Sequence, residues 1–173
     1  ALDLPGHGRS TRSTTNLPEI TDLISEVAES TGPYHGIVCH SFGAVAALNS
    51  VRLGAAFEKL VLISPGVYEI KPMFETFVGL FGLDEEYYAD RLFDLAESLF
   101  GASPGEFGLD RFAEHIETET LIVHCEDDRE ASKEIANSLH RDMKNSVLYM
   151  TEGLGHRRIL RDEKVAEKVM NFL

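Results

Sequence analysis

The 173-residue chain sets 16 Lys and Arg against 29 Asp and Glu, a net charge of −13, and is long enough for one domain with a substantial core. That charge argues against nucleic acid or an anionic membrane surface as a partner. No apolar run approaches the roughly 20 residues of a membrane span, and no charged-then-apolar leader opens the sequence, although any leader would precede Ala1. Cys39 and Cys125 each end an apolar run and read as small core residues of a reducing, cytoplasmic compartment rather than as a disulfide. The sequence sets no oligomeric state.

The opening Ala1-Leu2-Asp3-Leu4-Pro5-Gly6-His7-Gly8-Arg9-Ser10 reads as the tail of a strand entering a glycine-rich turn, as if further strands preceded it. From about Leu17 to Glu29, Ile20, Leu23, Ile24, Val27 and Ala28 recur at helical spacing opposite acidic residues, which predicts an amphipathic helix lying on a sheet. Thr31-Gly32-Pro33 ends it. An apolar strand follows and breaks at Cys39-His40-Ser41-Phe42-Gly43 into a small-residue helix with Ala44, Ala46 and Ala47. This turn is close to G-x-S-x-G, with cysteine in the first position, and Gly43 is expected to let strand and helix approach. Such a turn holds a serine at a helix N-terminus, where backbone N–H groups stabilise an oxyanion. The same residues also fit an ordinary strand–turn–helix corner with a capping serine.

Leu60-Val61-Leu62-Ile63 and Leu121-Ile122-Val123 are apolar at every position, as strands buried on both faces of a parallel sheet are. A polar helix from about Ala131 to Arg141, a fourth strand at Ser146–Met150 and an amphipathic helix from Lys164 to Leu173 complete an alternating α/β pattern. The pattern predicts a mainly parallel sheet with flanking helices. Residues 67–118 interrupt it and carry seven of the ten Phe (74, 77, 81, 93, 100, 107 and 112). Most of these rings are expected to pack the insertion onto the body; the other use of such a segment is a helical cap over an apolar substrate pocket.

A nucleophilic serine needs a base, and the base needs a carboxylate to fix its tautomer. Asp127 and Asp128 follow the third strand and His156 follows the fourth, so in a parallel sheet both meet Ser41 on the carboxyl rim. His40 beside Ser41 either lines the pocket or is a hydrogen-bonded structural residue. His7 and His124 read as braces for rim turns, and Arg157, Arg158 and Arg161 as a solvated helix face. No H-E-x-x-H or paired-cysteine spacing points to a metal.

Serine, acid and histidine in that chain order, each after a strand, resemble the α/β-hydrolase family. Asp3-Leu4-Pro5-Gly6-His7-Gly8-Arg9-Ser10 resembles the family's loop ahead of the nucleophile strand, and His124-Cys125-Glu126-Asp127-Asp128 its H-G-x-x-D acid loop with cysteine for glycine. The resemblance implies an α/β-hydrolase core at 1–66 and 119–173 and a cap at 67–118. It implies Ser41 as nucleophile, His156 as general acid and base, and Asp128 as orienting carboxylate, with Asp127 the runner-up. The Phe42 N–H becomes an oxyanion donor and His40 a pocket residue. No cofactor is implied. The reaction expected is hydrolysis of a small, apolar carboxylic ester or related acyl compound through an acyl-enzyme. Nothing in the sequence matches the family's upstream oxyanion loop, so the alternative is a non-catalytic binding or scaffold protein on the same fold.

Overall fold

Leu60–Ile63 and Leu121–Val123 become the middle of a sheet because both faces of each run find apolar cover. The computed structural model describes residues 1–11 and 13–173. Strands β1 (Tyr34–His40), β2 (Phe57–Ile63), β3 (Glu119–Cys125) and β4 (Ser146–Thr151) lie side by side in chain order, all parallel. The register aligns Val38, Val61, Leu121 and Val147 across the four strands. Side chains alternate between faces. Leu60, Leu62 and Ile122 enter one core, while Val61, Ile63, Leu121 and Val123 enter the other.

The first face is covered by helices α1 (Leu17–Thr31), α2 (Phe42–Arg52) and α5 (Lys133–Asp142). On α1 the Asn16 side chain accepts the Glu19 N–H at 2.9 Å and Pro18 sits in the first turn. The helix runs two residues past the expected Glu29, and Gly32 caps it. Helix α5 begins at Lys133 rather than at Ala131, because Ser132 caps it and Ala131 is engaged in closing the loop after β3. The second face is covered by α6 (Gly155–Arg158) and the turn after it, together with α7 (Glu163–Phe172). The short α6 was not legible as a helix of its own. Among the described residues no helix is long and apolar enough to cross a membrane.

One expectation is corrected. A methyl group on Gly43 would meet nothing within 4 Å, because this glycine borders an open groove beside Ser41. Ala44, Ala46 and Ala47, all fully buried, make the close contact of α2 instead. On β1, Gly36 does make a close approach, since a methyl there would stand 2.8 Å from Leu173 Cδ2 and 3.1 Å from the Lys59 carbonyl oxygen. The insertion forms α3 (Ile70–Gly79), α4 (Glu85–Phe100) and three short 3₁₀ turns. Phe74, Phe93, Phe107 and Phe112 pack toward the core as expected, but Phe77, Phe81 and Phe100 are exposed. A hairpin of two helices has only one side against the body, so Phe77 and Phe81 pack edge-on against each other, centroids 5.3 Å apart.

Candidate active site

All four strands end on the same rim, and the segments leaving β1, β3 and β4 carry the predicted residues. Ser41 directly follows β1 with φ +52° and ψ −121°. For a non-glycine residue this conformation costs about 1–3 kcal/mol. It is held by the Ser41 N–H, which donates to the Ile63 carbonyl at 2.9 Å, and by the Ser41 carbonyl, which accepts the Ala44 N–H at 3.1 Å. The hydroxyl is thereby delivered to the N-terminus of α2. Phe42 is the first residue of that helix, where an N–H has no intrahelical acceptor. Gly66, just past β2, borders the same spot: a methyl there would lie 3.3 Å from Ser41 Oγ and 3.8 Å from the Phe42 nitrogen.

The loop after β3 is wound around one carboxylate. Asp128 Oδ1 accepts the Glu130 and Ala131 N–H groups at 2.9 and 3.0 Å, and the His124 Nε2–H donates to the Ala131 carbonyl at 3.1 Å. This leaves Asp128 Oδ2 for His156, whose Nδ1–H donates to it at 2.8 Å. Burial opposes ionisation of Asp128. The donors on Ala131, His156 and Glu130 outweigh it and hold the carboxyl below its usual range. Because a carboxylate only accepts, the proton of the neutral imidazole is on Nδ1 and Nε2 is an acceptor. Nε2 lies 2.9 Å from Ser41 Oγ and receives its proton. His156 is 9 % exposed, and the Asp128 side chain is fully buried.

The neighbouring carboxylate is engaged elsewhere. Asp127 Oδ1 accepts the Gly153 N–H at 2.7 Å and the Cys125 thiol at 3.0 Å, and the Gly155 N–H donates to that sulfur at 3.1 Å. The thiol standing where the H-G-x-x-D pattern has glycine thus ties the loop after β3 to the loop that presents His156. Gly153 and Gly155 take φ of +75° and +61°, which glycine adopts without strain. His40 donates from Nε2 to the His156 carbonyl at 2.9 Å, with the two rings 4.7 Å apart. Its half-buried position lowers its pKa, since burial disfavours the charged form more than the His156 carbonyl favours it. His40 also lines the groove, of about 1080 Å³, that holds Ser41, Phe42 and His156.

Ser41, His156 and Asp128 are thus brought together, Phe42 and His40 border them, and Asp127 stands apart from the imidazole. His7 Nδ1 lies 3.0 Å from the Pro5 carbonyl, within its own turn. Arg157 pairs with Glu130 at 2.9 Å on the surface. Among the described residues no group of three or more His, Cys, Asp or Glu could hold a metal ion. The bridging role of Cys125 and the position of Gly66 were not foreseen. The available signals were a cysteine in a glycine position and a glycine just past a buried strand.

The fold is shared with solved structures of low sequence identity. A lipase-esterase related protein from Clostridium acetobutylicum superposes with a TM-score of 0.71 at 18 % identity, over 99 % of this chain and 82 % of its own. An esterase from Exiguobacterium antarcticum gives 0.70 at 18 %, over 98 % and 79 %. A monoacylglycerol lipase from Paleococcus ferrophilus gives 0.65 at 20 %, over 99 % and 79 %. No curated protein matches the sequence. The model of the alpha/beta hydrolase family matches residues 1–168, nearly the whole chain, and to that family the protein belongs.

Proposed function

We propose that the protein is a cofactor-independent serine hydrolase that cleaves a small carboxylic ester through an acyl-enzyme. The observation that carries this reading is the unbroken hydrogen-bond line from Ser41 Oγ through His156 to Asp128, 2.9 and 2.8 Å in its two links. Ser41 Oγ attacks the carbonyl carbon as its proton passes to His156 Nε2. The carbonyl π pair becomes an oxyanion, which the Phe42 N–H faces. The oxyanion then collapses, the alcohol leaves with the proton from His156, and Ser41 is left acylated. Water repeats the steps with His156 as base and releases the acid. Asp128 keeps the imidazole in the Nδ1–H tautomer and offsets its charge when protonated.

Residues 1–66 and 119–173 serve as the hydrolase core, and 67–118 as a cap over the site. The lipase and esterase folds named above support an ester rather than another acyl bond. The two free, buried cysteines favour a reducing, cytoplasmic setting. Hydrolysis of p-nitrophenyl butyrate tests the reading. Wild type turns over, and Ser41→Ala and His156→Ala each lose about 10⁶ in kcat. Turnover by Ser41→Ala at the wild-type rate refutes it.

A further inference from the structure

His156 is carried by the turn Gly153-Leu154-Gly155, which has little rigidity of its own. Gly153 and Gly155 both take positive φ, and a methyl on either would meet nothing within 4 Å, so packing at these two positions does not restrain the turn. Side chains hold it instead. Arg158 donates to the Gly153 and Leu154 carbonyls at 2.6 and 3.1 Å, but it stands on the same short helix as His156 and moves with it. The anchors to the sheet are His40 at the end of β1, which holds the His156 carbonyl, and two residues at the end of β3. Asp127 Oδ1 accepts the Gly153 N–H at 2.7 Å, and the sulfur of Cys125, a fully buried residue, accepts the Gly155 N–H at 3.1 Å.

The two anchors on β3 are also joined to each other, by a bond of 3.0 Å from the thiol to Asp127 Oδ1. That thiol and the Gly153 N–H hold the Asp127 carboxyl below its usual range, so at neutral pH it only accepts and the thiol proton points to it. The sulfur lone pairs are left for the Gly155 N–H, a first-turn donor with no intrahelical acceptor. A glycine in place of Cys125 would have no side chain to make either bond. We propose that Cys125 and Asp127 are positioning residues that fix the turn carrying His156, and so keep Nε2 within reach of Ser41 Oγ, an inference that rests on the serine-hydrolase reading. Neither residue touches substrate. Both act through the backbone of residues 153–155.

The test is kcat and KM for p-nitrophenyl butyrate, with the rate of Ser41 phosphonylation by a fluorophosphonate, each per folded molecule. Cys125→Ala lowers kcat about 10–100-fold and slows phosphonylation by a similar factor, while KM stays within about twofold of wild type. Cys125→Ser, which keeps a donor and an acceptor at this position, recovers most of the loss. Asp127→Ala, at an exposed position, removes the acceptor and lowers kcat further than Asp127→Asn does. Val165→Ala opens space in the same apolar core as Cys125 and lowers stability with kcat unchanged. A kcat for Cys125→Ala within about twofold of wild type overturns the proposal. So does a Cys125→Ser variant no more active than Cys125→Ala, or an equal loss of kcat in Val165→Ala. If Cys125→Ala fails to fold, wild-type kcat in Asp127→Ala overturns it alone. Wild type that neither hydrolyses esters nor reacts with the fluorophosphonate overturns the serine-hydrolase reading, and the positioning role falls with it.

Discussion

Asp127 and Asp128 are adjacent in the chain and do different things, because the turn that buries one carboxylate leaves the other at the surface. Asp128 accepts two backbone N–H groups through one oxygen and His156 through the other. Asp128→Asn is expected to place an N–H against the imidazole, favour the wrong tautomer and lower kcat by about 10⁴, measured on p-nitrophenyl butyrate. Asp127→Asn keeps an acceptor for the Gly153 N–H and is expected to cost less than about tenfold in the same assay. His40→Ala, which removes the donor to the His156 carbonyl, is expected to reduce kcat with little change in KM, and His40→Gln to restore part of it. The preference for Asp128 came from the spacing of the acid loop. What spacing could not convey is how Asp127 is used, because that depends on Gly153 in the loop after β4 as well as on Cys125 at the end of its own strand.

At the scale of elements, the strands were the most legible part. Leu60–Ile63 and Leu121–Val123 are apolar throughout because helices cover both faces of β2 and β3, and burial of that kind is written directly into composition. Close approach is written less plainly. Gly43 stands out as part of a serine motif, yet it is Gly36 that meets Leu173, the residue after α7. Gly36→Val is expected to destabilise by about 1–3 kcal/mol through overpacking against Leu173 and the Lys59 carbonyl, measured by urea denaturation. The insertion was recognised from its phenylalanines, but composition cannot assign rings to the inner or outer side of a hairpin, and Phe77 and Phe81 fall outside. The strand ends also carry the acid sensitivity. Burial lowers the pKa of His124 and of His40 from the ordinary 6.5, so the unfolded chain binds protons first as pH falls below about that value. Stability is therefore full above it and is lost as pH falls through the lowered folded values. Asp128 adds to the loss below 3.8, for the same sign reason. Unfolding free energy measured from pH 8 to pH 4 should decline, and His124→Asn should flatten the decline; a rise on acidification contradicts this.

For the whole molecule, the order of strands turns three distant stretches into one site. With β1, β3 and β4 parallel, the segments that leave them emerge on one rim, where residues 41, 128 and 156 meet. The same arrangement leaves β1 at an edge, with Val38 half exposed. An uncovered apolar edge is a template for pairing with another chain. Val38→Lys is expected to lower light scattering at high protein concentration while shifting stability by no more than about 0.5 kcal/mol.

Activation of Ser41 as a nucleophile by His156 and Asp128 is tested most directly by intact mass and peptide mapping after treatment with a fluorophosphonate at neutral pH. The prediction is a single phosphonyl adduct on the peptide containing Ser41, absent from Ser41→Ala and formed at least about 10³-fold more slowly by His156→Ala. No adduct on folded wild type, or an adduct that persists in Ser41→Ala, contradicts it.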